Sequence, residues 1–148
     1  MDELIKELKK LNLGKMILNA SLKEFTTYKV GGVARVIIFP KNIDDLVILI
    51  RKLKATNVKF MVLGNGSNVL FSDYVYDGVI IKLDEINHIE FNDNRVTCGA
   101  GASLMKVAAQ SIRRGLSGLE FATGIPGSIG GAVYMNAGAY KSDMGYLV

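Results

Sequence analysis

Two glycine-rich stretches carry the chemistry that this sequence offers. The first, Leu63-Gly64-Asn65-Gly66-Ser67-Asn68-Val69-Leu70, follows an apolar run from Lys59 to Leu63. Glycines at 64 and 66 admit positive φ and let backbone amides close on an oxyanion with no Cβ in the way, and Asn65, Ser67 and Asn68 add side-chain donors. No Gly-Lys-Ser/Thr follows, so this is not a P-loop; the third glycine and following helix of a dinucleotide fingerprint are also missing. A tight turn between strands would use the same residues, and composition does not choose between the two. The second stretch runs from Gly124 through Ile125-Pro126-Gly127-Ser128-Ile129-Gly130-Gly131 to Asn136-Ala137-Gly138-Ala139-Tyr140. Small residues over such a length bury little apolar area and leave many amides in need of acceptors, which a phosphate-bearing ligand would supply. A close-packed Gly/Ala turn and helix against a sheet is the other reading. Two amide-rich loops, one per lobe, fit a diphosphate-bridged cofactor lying between lobes.

Other chemistries are short of residues. One cysteine, Cys98, and one histidine, His88, exclude a disulfide framework and a Cys/His zinc site, so no metal is expected. His88 sits in the alternating Asn87-His88-Ile89-Glu90-Phe91 and reads as a strand residue, Cys98 as a buried small hydrophobe. The net charge of +4 and pI near 9.2 suit an anionic ligand. The lysines, however, are scattered over Lys6, Lys9, Lys10, Lys52, Lys54 and Lys59 instead of being striped with aromatics, so nucleic acid is not an expected partner. With 148 residues, 49% of them hydrophobic, the chain can build a real core, and disorder is excluded. Mean hydropathy is +0.25, yet the longest aliphatic run, Leu46 to Ile50, is far shorter than the roughly 20 residues of a membrane-spanning helix. The charged start, Met1-Asp2-Glu3-Leu4-Ile5-Lys6-Glu7, is unlike a secretory signal, and a cytoplasmic location is expected.

The elements that must position these loops follow from periodicity. Leu4, Leu8 and Leu11 predict an amphipathic helix over Asp2 to Leu13, stopped at Gly14. Phe25 to Gly32 reads as extended and Val33 to Phe39 as a strand. Asn42 caps a helix to about Ala55, whose apolar residues from Ile43 to Leu53 go nearly all round, so cover on more than one side is expected. With Lys59 to Leu63 this makes a strand-helix-strand unit with a parallel pair. Val79 to Leu83 reads as a further strand, His88 to Phe91 and Arg95 to Ala100 as a hairpin, and Ser103 as the cap of a helix with stripe Leu104, Val107, Ala108 and Ile112 ending at Gly115. Ten of the 16 glycines lie between Gly99 and Gly145, so the last third is built differently. The expected organisation is a helix and linker over residues 1–20, an α/β lobe over 21–83 and an antiparallel α+β lobe over 84–148.

From about Ser21 to Val148 the chain resembles the N-terminal half of the UDP-N-acetylenolpyruvoylglucosamine reductase family. The resemblance rests on Thr26-Thr27-Tyr28-Lys29-Val30-Gly31-Gly32-Val33-Ala34, on Leu63 to Asn68, and on Gly115-Leu116-Ser117-Gly118-Leu119-Glu120-Phe121 running through Tyr140. It implies a two-lobed α+β FAD-binding domain of the PCMH type. It further implies an FAD between the lobes, its pyrophosphate on Gly64, Asn65, Gly66, Ser67 and Asn68, and its remaining length along Ile125, Pro126, Gly127, Ser128, Gly138, Ala139 and Tyr140. In that family NADPH reduces the flavin, which passes hydride to the enolpyruvyl group of a UDP-sugar, yielding UDP-N-acetylmuramate for peptidoglycan precursor synthesis. The family's Tyr-Arg segment, proton-donating serine and late glutamate have no counterpart among these 148 residues. No catalytic residue is therefore expected here, and the chain alone is expected to hold FAD weakly and not to turn over. The first two motifs also recur in vanillyl-alcohol-type oxidases, which leaves an FAD-linked oxidase domain as an alternative, and a non-catalytic nucleotide-binding module as another. Against the oxidase stand the Gly130 to Tyr140 run and the lack of His or Cys in either loop to tether a flavin.

Overall fold

Consecutive buried residues on two neighbouring strands sort by alternation onto two cores. In the computed structural model, which describes all residues from Met1 to Val148, β2 (Val33–Pro40) and β4 (Tyr76–Lys82) run parallel with Val36, Ile37 and Ile38 opposite Val79, Ile80 and Ile81. All six are fully buried. Successive side chains of a strand point to opposite faces. Val36, Ile38, Val79 and Ile81 therefore meet Leu4 and Leu8 of α1 (Asp2–Leu11) and Leu49 and Leu53 of α2 (Ile43–Ala55). Ile37 and Ile80 face the other way, with Ala20, Leu22, Phe39 and Leu63. A register shift between Ala34 and Val36 puts Ala34 on this second face as well.

The sheet is completed by β1 (Gly14–Ser21), antiparallel on β2, and β3 (Phe60–Leu63), parallel on β4, in the order β1-β2-β4-β3. These elements form one compact unit, Met1–Ile86; a second comprises Asn87–Val148. No helix is long and apolar enough to cross a membrane.

Several expectations change here. The stretch read as linker contains β1, whose mixed burial and left-handed Asn19 (φ 50°) blur the period-two signal. An antiparallel pair is thus already present in the first unit. The strands flanking α2 are parallel but not adjacent, because β4 is inserted between them. Helix α1 ends at Leu11 through left-handed Asn12 (φ 49°) and not at Gly14. Part of the segment expected to be extended opens as a short 3-10 turn, Leu22–Phe25. The Asn42 cap forms as expected, its side chain accepting from the Asp45 amide at 2.9 Å, but α2 is covered on one side only: Ile43, Val47 and Ile48 are exposed.

In the second unit β5 (Ile89–Asn92) and β6 (Arg95–Cys98) pair as the expected hairpin, turned at Asp93 and Asn94. His88 is exposed just before β5, its carbonyl accepting from the Gly99 amide, and Cys98 is half-buried. Helix α3 (Leu104–Arg113) is capped by Ser103, whose oxygen accepts from the Lys106 amide at 3.3 Å. Its buried face is Leu104, Val107, Ala108 and Ser111; the hydroxyl of Ser111 is satisfied by the Val107 carbonyl, and Ile112 is exposed. A 3-10 turn (Glu120–Gly124), α4 (Ile129–Tyr134) and the short pair β7 (Gly138–Ala139) and β8 (Ser142–Asp143) follow. Their core is Leu104, Ala108, Phe121, Ala122, Ala132 and Met144.

Candidate functional site

The loop Gly64–Asn68 leaves the end of β3 and is tethered through two of its carbonyls. The Gly64 carbonyl accepts from the Lys82 ammonium at 2.6 Å, and the Gly66 carbonyl from the Thr27 amide at 3.0 Å. No acceptor in the chain takes a hydrogen bond from the amides of Asn65, Gly66, Ser67 or Asn68. The peptide unit is planar and trans, so a carbonyl turned toward Lys82 sends the Asn65 N–H the opposite way, and the Thr27 tether does the same for the Ser67 N–H. Successive amides left without partners are what an anion-binding nest requires. The Ser67 hydroxyl is buried and has no partner in the chain, which leaves a polar group requiring one from outside it.

Gly66 has a separate structural reason to be glycine. Its φ is +68°, and a Cβ built there would overlap the Phe25 carbonyl oxygen and lie 2.8 Å from the Thr26 Cα. The packing against Thr26 therefore fixes this residue whatever the loop binds. Lys82 is the residue the sequence reading missed. It is paired in register with Leu63, is only 5% exposed, and adds a 3.3 Å contact to Asp84. The available signal was a lysine ending the otherwise apolar Val79-Ile80-Ile81 of a central strand.

The second set of residues lies in the second unit. Gly127 and Ile125–Ser128 are tied to the start of α3: the Gly127 carbonyl accepts from the Leu104 amide at 3.0 Å, and the Ala102 carbonyl from the Ile129 amide at 2.8 Å. Ser128 is buried as the cap of α4, accepting from the Gly131 amide at 3.2 Å, and Ile125 and Ala139 pack against the core around Phe121. A Cβ on Gly124 or Gly127 would meet nothing within 4 Å, so neither glycine is required by the chain's own packing. Gly130 differs: its Cβ would press on Ala100 at 2.8 Å. Gly138 is likewise closed in by Ser142 and Asp143. Tyr140 is left-handed (φ 52°), 94% exposed, and borders an open cavity of about 360 Å³ with Gly118, Glu120, Phe121 and Ser142. Glu120 is engaged, its carboxylate accepting from the Gly118 amide at 2.7 Å.

The chain thus presents unpartnered backbone donors on one loop and open glycines on another, with no group of three or more His, Cys, Asp or Glu side chains placed to hold a metal ion. Unpartnered amides of this kind are able to accept an anionic ligand. Burial pushes the Cys98 thiol up, away from the reactive thiolate.

Comparison with known proteins points to a flavin cofactor. Residues 34–146 match the family described as FAD binding domain. The UDP-N-acetylenolpyruvoylglucosamine reductases of Bacillus subtilis (strain 168) and Halalkalibacterium halodurans are each 45% identical over the whole chain, which covers 49% and 50% of them. The chain spans about half the length of the curated relatives it matches. Among solved structures, UDP-N-acetylenolpyruvylglucosamine reductase from Thermus caldophilus superposes with a TM-score of 0.68 at 35% identity, over 88% of this chain and 44% of that one. An alkyldihydroxyacetonephosphate synthase superposes at 0.71 over 99% of this chain and 32% of its own, at 17% identity, a likeness of fold alone.

Proposed function

The chain belongs to the FAD binding domain family, and from that premise we propose that it is the cofactor-holding part of an NADPH-dependent UDP-N-acetylenolpyruvoylglucosamine reductase. The observation that carries the cofactor part is the loop Gly64–Asn68, with its unpartnered amides and the buried, unpartnered Ser67 hydroxyl. Amide dipoles and a neighbouring ammonium suit the two charges of a diphosphate without any arginine in the loop. Asn65, Ser67 and Asn68 donate to it; Ile125, Pro126, Gly127, Ser128, Gly138, Ala139 and Tyr140 supply the second unit's contacts. When bound, FAD supplies the hydride relay between a nicotinamide and the substrate. In this reading the chain's own residues bind and orient, and none of them is assigned the proton-donating role. A cytoplasmic location is part of this proposal, since a UDP-sugar and NADPH are its proposed substrates.

A chimera tests this reading: the chain replaces the matching half of the Bacillus subtilis reductase, and UDP-N-acetylmuramate formation from NADPH and the enolpyruvyl UDP-sugar is measured. The expected result is a yellow protein that turns over. A chimera that binds FAD but forms no product counts against the reductase, and one that folds without flavin counts against the cofactor.

A further inference from the structure

We propose that Lys82 is the positioning residue of the glycine loop, its buried ammonium fixing the first peptide so that the loop's amides stand ready for the diphosphate; this rests on the reading of FAD binding above. A lysine this buried is held in place by what it touches. Lys82 ends the central strand β4 directly beside Leu63, the last residue before the loop, and donates to the Gly64 carbonyl at 2.6 Å, while Asp84 accompanies the charge at 3.3 Å. A backbone carbonyl bound by a buried ammonium cannot turn outward, where it would oppose an anion. Its own peptide N–H, that of Asn65, is thereby committed to the opposite side. The Gly66 carbonyl repeats the arrangement on the neutral Thr27 amide, so the loop is tethered twice and only the first tether carries charge. The ammonium also brings its positive charge to the loop's first peptide, within a low-dielectric surround where charge acts more strongly than in water. The sequence pattern of the loop gives no hint of it, because the residue lies 18 positions downstream.

The test is Lys82→Met, close in volume and free of charge. Replacing a buried cation by an apolar residue of similar size is commonly tolerated, and Asp84 has solvent to turn to, its side chain being 48% exposed. Two readouts are taken on the whole chain, beside wild type and the exposed-lysine variant Lys23→Met. In flavin-free protein, the Gly64 carbonyl carbon and Asn65 amide resonances should move in Lys82→Met while the Gly66 carbonyl, held by Thr27, stays. Titration with FAD, followed by flavin fluorescence, should show about tenfold or more weaker binding in Lys82→Met and none of this in Lys23→Met. An unmoved Gly64 carbonyl, or unchanged FAD affinity in a folded variant, overturns the inference while leaving the FAD reading intact. Wild-type protein that takes up no FAD overturns that reading, and the diphosphate role of Lys82 with it.

Discussion

Gly66 and Gly127 both lie in loops assigned to the cofactor, yet the structure predicts opposite behaviour for their alanine variants. At Gly66 an alanine must adopt φ +68°, which costs about 1–2 kcal/mol, and must push the Phe25–Thr26 backbone aside, an overpacking worth roughly a further 1–3 kcal/mol. At about 2–4 °C per kcal/mol for a chain of this size, flavin-free Gly66→Ala should melt on the order of 10 °C below wild type. At Gly127 the added Cβ meets nothing within 4 Å and no left-handed backbone is imposed. Its melting temperature should be unchanged or slightly raised, since alanine narrows the unfolded ensemble by about 0.4–1 kcal/mol. Its FAD affinity should nevertheless fall about tenfold or more, because the methyl takes space that the cofactor would occupy. Thermal unfolding without flavin and fluorescence titration with FAD measure the two effects separately. Gly127→Ala that binds FAD as tightly as wild type would refute the assignment of Ile125–Ser128 to the cofactor; loss of flavin in Gly66→Ala proves nothing by itself.

Ser67→Ala should leave flavin-free stability unchanged or raise it, because the buried hydroxyl has no partner to lose, and should weaken FAD binding by about 1–3 kcal/mol across pH; lower stability without flavin would contradict this. Asn42→Ala removes the bond to the Asp45 amide and should cost about 1 kcal/mol, seen as a fall of roughly 2–4 °C in Tm with FAD affinity untouched. Because burial raises the Cys98 thiol, the thiolate is scarce near neutral pH: iodoacetamide should label the folded chain more slowly than the urea-unfolded chain at pH 8, the gap closing as pH rises past the raised value, and equal rates would contradict it.

The sequence made the helices and the paired strands legible where one signal dominated. Asn42 and Ser103 announce their helices because a capping side chain acts on its own neighbours, and the β5–β6 hairpin is likewise local. The insertion of β4 between β2 and β3 was not legible, since strand order is decided by which apolar faces meet over long separations. Strand β1 was hidden by its uneven burial and by Asn19. At the loops, spacing identified the glycines but not their reasons. Gly66 is fixed by Phe25 and Thr26, whereas Gly127 is fixed by nothing inside the chain. Lys82 was passed over because a lysine within a short apolar strand reads as a solvent-facing position until its burial is known.

The most direct measurement is equilibrium titration of the flavin-free chain with FAD and, separately, with riboflavin, which has the same ring and no phosphate. If the amides of Gly64–Asn68 hold a diphosphate, FAD binding is saturable and one-to-one, and riboflavin binds at least about tenfold more weakly. Riboflavin binding as tightly as FAD, or no saturable binding of FAD at all, would contradict the account.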